Sequence, residues 1–424
     1  MSLMRGLSSC WRIARRSLRQ HALSSAVTVG SAALASGLVM SVFALSAQSR
    51  EAFSGGETGF DAVLGAKGSE LQLVMNTVFH LDTSPGNIPW SLYESAKTDR
   101  RVDVALPYAV GDNYQGFRIV GTTEDIFTEF QPREGEHLEF TQGSRAFDPA
   151  YREAVIGSVV AQRTGLRVGS KFLATHGVTG AGGPEHPGEY VVVGRLEPTN
   201  TPTDRVIWIP IEGIFRMDGH KLTGAGEVYE AQPGEVIPDE HKEISAVMIR
   251  TSSSGAGRML EFEINKADQA TLAWPISESI LQVFDKLGWV VLVLEGVALL
   301  VVVVAAASIL ASLYNTMNER RKEFAVLRAL GARRHTVFSV IVIESTTIAG
   351  LGALFGGVVY FATFSLAASI VREKTGVVLD VGMLHPALYW TPIGMLGMGA
   401  LAGLLPAFKA YRTEVATTLA GGGY

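Results

Sequence analysis

Cysteine is almost missing from this chain. Among 424 residues there is one, Cys10, which excludes an intramolecular disulfide and any cysteine-built zinc cluster. Charge is scarce as well. Asp, Glu, Lys and Arg make up 18% of the residues, against about 25% in an average soluble protein, and mean hydropathy is +0.23. Such a balance excludes a disordered or fibrous chain and argues for membrane residence. The 46 glycines and 16 prolines follow no collagen-like period. The dipeptide Gly-Lys never occurs, so no Gly-x-x-x-x-Gly-Lys-Ser/Thr phosphate loop exists, and ATP hydrolysis by that route is excluded. No serine stands in a Gly-x-Ser-x-Gly frame, which removes the nucleophile elbow. Ser158, after Val155-Ile156-Gly157, reads as a turn or helix-start residue.

What charge there is falls unevenly. Residues 50–286 hold 21 Lys+Arg and 34 Asp+Glu, a balance of −13, while the rest hold 15 and 7, or +8, giving the net −5. An acidic middle and basic flanks fit exposure to two compartments. Four apolar runs are long enough to cross the roughly 30 Å hydrocarbon core, which takes about 20 residues. They are 22–47, without charge; 287–313, with only Glu295; 337–371, with only Glu344; and 387–407. The fold expected is a membrane protein of four transmembrane α-helices with a large α+β extracytoplasmic domain inserted between the first and second.

Lys and Arg near the span ends set the orientation. Arg5, Arg12, Arg15, Arg16 and Arg19 precede the first span. Arg320, Arg321, Lys322, Arg328, Arg333 and Arg334 separate the second from the third, and Lys409 and Arg412 follow the fourth. Segments 1–21 (amphipathic), 314–336 and 408–424 are therefore expected in the cytoplasm, and 48–286 and 372–386 outside, as in a multi-pass membrane protein. The basic start is too long for a signal peptide. Leu7-Ser8-Ser9-Cys10 precedes the apolar run instead of ending it, so the first span reads as a retained anchor, not a lipidated one.

The outside segment is rich in strands. Residues 116–120, 190–194, 206–209 and 246–249 are β-branched or aromatic and bounded by turn residues. Residues 91–97 and 258–273 read as helices, 177–188 and 222–238 as irregular, and 143–151 as a soft subdomain boundary. Residues 260–286 read as mostly helical, a stalk into the second span. His80 and Asp82 lie two apart, and His137, His176, His186, His220 and His241 are scattered. No pair has a compact ligand spacing, so the histidines read as structural or solvated, with no metal and no cofactor expected.

The most informative stretch runs from Asn318 to Arg334. Phe324, Leu327 and Leu330 recur at three-residue spacing, so the segment predicts a short amphipathic helix. Gly331 is its natural stop. Taken alone, the pattern also fits an interfacial helix that attracts anionic lipid. Glu319, Arg320, Glu323, Leu327, Arg328, Ala329, Leu330, Gly331 and Ala332 resemble the cytoplasmic loop signature of permeases of the FtsX/MacB-like (mechanotransmission, type VII) class of ABC transporters. Arg333-Arg334 departs from that pattern. Ile343-Glu344-Ser345 with Gly350, Gly352, Gly356 and Gly357 is similar to the family's third span, and the order of one span, a large outside domain and three spans agrees with it. The FtsX-like region would cover about 287–415 and the outside domain would be MacB-like.

The resemblance implies a permease that hydrolyses nothing itself. A separate cytoplasmic ABC ATPase would dock on the loop through Glu319, Arg320, Glu323, Phe324, Leu327, Arg328 and Gly331. Its closure would drive outside movements acting on a lipophilic, peptide or envelope cargo. A homodimer or paired permease, membrane lipid, and a periplasmic adaptor or outer-membrane channel are the partners implied, with no nucleic acid. The alternative, from a different functional class, is a membrane-anchored regulator relaying ATPase state to an outside enzyme, as in division-type relatives. Glu295 and Glu344 are expensive at membrane depth. Glu344 is read as reaching the interface or a loop arginine, and Glu295 as snorkelling or bonding a neighbouring helix. Gly352-x-x-x-Gly356 and Gly399-x-x-x-Gly403 permit close helix packing.

Overall fold

The computed structural model describes residues 2–54, 59–133, 135–177, 183–217, 222–229 and 235–412; His220 and the tail from 413 lie outside the described residues. Helices α1 (Ser2–Gln20) and α2 (Ala22–Ser54) come first, then β1 (Ala62–Gly65), α3 (Glu70–Thr77), β2 (Ile88–Pro89), α4 (Trp90–Thr98), β3 (Val102–Tyr114) and β4 (Phe117–Thr122). There follow α5 (Ile126–Glu129), β5 (Glu153–Ile156), α6 (Ser158–Thr164), β6 (Lys171–Phe172), β7 (Thr175–His176), β8 (Tyr190–Arg195), β9 (Val206–Pro210) and α7 (Ile211–Phe215). Then come β10 (Glu243–Ile244), β11 (Ala246–Thr251), α8 (Ser254–Ala267), β12 (Thr271–Ala273), α9 (Ile276–Glu319), α10 (Arg321–Ala329), α11 (Arg334–Thr375) and α12 (Ala387–Arg412). Two compact units result. One comprises Met1–Gln48, Leu287–Ala368 and Asp380–Tyr424; the other comprises Ser49–Lys286 and Ser369–Leu379.

In the helical unit, α2, α9, α11 and α12 each hold a stretch long and apolar enough to cross a bilayer. Small residues let these helices meet. Gly352 of α11 faces Ala32 of α2, and a β-carbon on Gly356 would fall inside Ser36. Ser36 Oγ donates to the Gly352 carbonyl at 3.2 Å. On another side of α11, Gly399 and Gly403 of α12 lie against Ala349 and Ser345. Both Gly-x-x-x-Gly spacings are thus used within the chain. Helix α1 is amphipathic as expected: Cys10, Ala14 and Ser17 are buried at helical spacing, while Arg15, Arg16 and Arg19 are exposed.

In the other unit, ten strands among the described residues form one sheet, in the order β12-β1-β11-β3-β4-β9-β5-β8-β6, with β7 on β3. The pairs β4–β9 and β5–β8 are parallel and the rest antiparallel. Period-two alternation divides the core. Leu64, Ile119, Ile207 and Val247 pack on one face, and Val63, Val120, Trp208 and Met248 on the other. All four strand runs read from the sequence are strands here.

Three expectations change. No subdomain boundary falls at 143–151, because β9 pairs with both β4 and β5 across it. The helix expected at 258–273 stops at Ala267, where Asp268 takes a left-handed conformation with φ +61°. Thr271–Ala273 instead pairs with β1, so 260–286 is not a continuous stalk. The sheet unit is also discontinuous in sequence. Val377 is buried in its core, and Glu373 lies 3.2 Å from Arg163 and accepts from Arg205 through its backbone carbonyl.

Candidate functional site at the basic loop

Helix α9 runs to Glu319, and Arg320 breaks it with φ −95° and ψ 12°. Helix α10 then starts at Arg321 and ends in a left-handed cap. Gly331 has φ +96°; its N–H donates to the Arg328 carbonyl at 3.0 Å and that of Ala332 to the Leu327 carbonyl at 3.0 Å. This pair of bonds is the Schellman arrangement. A residue with a β-carbon at 331 would be strained in it. The stop read from the sequence is the stop observed.

The loop is anchored by a buried polar cluster. The Arg320 guanidinium lies 3.6 Å from Glu344 of α11 and 3.1 Å from Glu323, and donates to Ser17 of α1. Ser17 Oγ in turn donates to Glu344 at 2.7 Å. Arg320, Ser17 and Glu344 are all buried. Arg320 also covers the Phe324 ring at 5.0 Å, a contact worth about 0.5–2 kcal/mol depending on exposure. Removing one member of a buried ion pair typically costs about 3–5 kcal/mol, because the other is left uncompensated. Of the two readings of Glu344, pairing with a loop arginine is the geometry found. Glu295 is half-buried, and no hydrogen bond or ion pair holds it among the described residues.

The apolar face of α10 is divided between the chain's own core and the surface. Phe324 is buried against Met317, Val337, Ile341 and Ala407, with Leu327 half-buried at the edge. Phe324 therefore does not face outward as the loop reading expected. The exposed side is formed by Glu323, Val326 and Leu330, the last two 48% and 81% exposed, at positions three and four apart on one stripe. Arg328 is half-buried. Glu319 lies 3.5 Å from His21. Ser17 and His21 carry no signal in the sequence, since neither departs from the basic pattern of the segment before the first span.

The histidines part company. The His80 Nδ1 is sealed without a hydrogen-bond partner, and burial, with Arg118 and Arg205 nearby, pulls this imidazole down to about 3. His241 stacks on Tyr229 at 4.3 Å, and His137 is exposed beside Gln131. His176 and His186, by contrast, converge on Asp112.

Residues 296–415 match the family described as FtsX-like permease C-terminal. The chain is similar to an uncharacterized ABC transporter permease of Methanocaldococcus jannaschii, 29% identical over 222 residues, covering 50% of this chain and 54% of that one. It is also similar to the macrolide export ATP-binding/permease protein MacB of Hyphomonas neptunium, 29% identical over 129 residues, covering 30% of this chain and 19% of the other. The matched stretches thus span about half and about a fifth of these relatives. Among solved structures, the periplasmic region of MacB from Actinobacillus actinomycetemcomitans matches with 12% identity and a TM-score of 0.32, over 54% of this chain and 93% of that one.

Proposed function

We propose that this chain, whose residues 296–415 match the FtsX-like permease C-terminal family, is the permease subunit of an ABC transporter powered by a separate cytoplasmic ATPase. Both termini and the basic loop face the cytoplasm, and the sheet unit acts outside on a lipophilic, peptide or envelope cargo. One observation carries the reading: α10 is braced from within by Arg320, Ser17 and Glu344, yet leaves Glu323, Val326 and Leu330 exposed. A helix held only to attract lipid needs no such brace.

The ATPase contact is therefore assigned to Glu323, Val326 and Leu330, while Phe324 and Arg320 hold the helix in place. Burying an exposed Val or Leu against a partner is worth about 1.5–3 kcal/mol. Val326→Asp with Leu330→Asp is expected to lower recovery of a coexpressed ABC ATPase by about tenfold or more, at equal membrane levels of the permease. Phe324→Ala should instead lower the level of the permease itself. Equal ATPase recovery from wild type and the double variant would remove α10 as the coupling element.

A further inference from the structure

Asp112, His176 and His186 come from distant parts of the sequence and meet on one face of the sheet unit. Asp112 lies in β3, just past a register shift after Val110 in its pairing with β4. On the other edge of β3 it stands directly opposite His176 of β7. Directly opposed residues of an antiparallel pair project to the same side. The chain then returns: Thr175 bridges Glu185, the His176 N–H donates to the Pro184 carbonyl at 3.0 Å, and that of His186 to the Ala174 carbonyl at 2.8 Å. His186 is thus opposite Ala174, two residues from His176 and on the same face. The backbone fixes this arrangement, since the Gly177 N–H donates to the Gly111 carbonyl at 2.9 Å and the buried Asn113 amide donates to the Gly177 carbonyl at 2.6 Å.

His186 Nε2 is 2.9 Å and His176 Nδ1 3.4 Å from the same Asp112 oxygen, and one ligand atom from each residue lies within 4.8 Å of the others. Ligands bound tetrahedrally at about 2.0–2.1 Å stand roughly 3.3 Å apart. Small side-chain movements would therefore place all three on one ion. We propose that Asp112, His176 and His186 form a site for a divalent transition metal of the zinc type, which fastens β7 and the residues 183–186 to β3. Two imidazoles and a carboxylate suit a borderline cation and not Ca2+ or Mg2+, which take mostly oxygen ligands. Three protein ligands leave a coordination position for water or an external donor. Asp112 and His186 are buried while His176 is half-exposed, so the ion has a way in.

The test uses the tag-free full chain in detergent, stripped with EDTA and titrated with Zn2+ and, as an optical probe, Co2+. Uptake of one Zn2+ per chain is expected, with the visible absorption of tetrahedral Co2+ and slower amide exchange across 174–177. His176→Ala, at a half-exposed position, should fold normally and weaken binding by about tenfold or more, losing the Co2+ spectrum and the exchange protection together. Asp112→Asn should do the same, its fold checked by an unchanged metal-free melting curve. No stoichiometric uptake by the wild type would overturn the site, as would uptake retained in both variants. The outcome is independent of whether an ATPase docks on α10.

Discussion

The two units solve the packing problem with opposite materials. The sheet unit is filled by size: Trp208, Leu64, Leu73, Ile207 and Ile209 are fully buried, as expected where removal of apolar surface from water drives folding. The helical unit is fitted by smallness, with Gly352, Gly356, Gly399 and Gly403 against Ala32, Ser36, Ala349 and Ser345. Between helices in lipid there is little hydrophobic drive, so close approach and interhelical hydrogen bonds must hold them. The same substitution type should therefore act differently in each.

The largest effect is expected where a buried group loses its counterpart. Arg320→Ala should destabilise the helical unit by about 3–5 kcal/mol, read as a lowered melting temperature in detergent, and Arg320→Met combined with Glu344→Gln should recover most of it. An Arg320→Ala protein as stable as wild type would mean that the cluster does not brace the loop. In the sheet unit, Trp208→Ala leaves a large cavity and should cost about 3–5 kcal/mol. Trp208→Phe should cost clearly less if size is what matters there.

Enlargement is the converse experiment. Gly356→Val drives a side chain into Ser36, and overpacking of this sort costs about 1–3 kcal/mol. Gly357→Val, one residue along the same helix, meets nothing within 4 Å and should be nearly silent. Equal effects of the two would break the contrast between the units.

The smallest effect, taken over one pH unit, is a pH dependence in the sheet unit. His80 has its folded value pulled down to about 3 by burial, below an unfolded value of about 6.5. Between these the unfolded chain binds the proton that the folded one refuses, so stability is full above about pH 6.5 and falls on acidification, by at most about 1.4 kcal/mol per pH unit. His80→Gln should flatten unfolding curves measured between pH 6.5 and 4.5. An unchanged slope would remove His80 as the cause.

Much of this was legible in the residues. Strands rich in Val and Ile, four apolar runs and the Gly331 stop need only local rules, and each is found. What failed is what local rules cannot see. Phe324 shares helical spacing with Leu330, but only the neighbouring helices decide that Phe324 is covered and Leu330 left bare. The 258–273 helix was carried too far although Ala270, Leu272 and Trp274, all buried on one face of the sheet, already alternate with a period of two. His176 and His186 show no ligand spacing because Asp112, the residue that unites them, reaches them only through the pairing of β7 with β3.

The discontinuity of the sheet unit also sets a schedule. Its main body is complete at Lys286, yet Ser369–Leu379 belongs to it as well. A ribosome adding about 5–20 residues per second needs roughly 5–20 s to travel between them. For that interval each new molecule has a sheet whose core lacks Val377 and whose Arg205 lacks the Glu373 carbonyl. Biosynthesis thus contains a waiting period before the domain can be sealed, which ends only after the third apolar helix has been made.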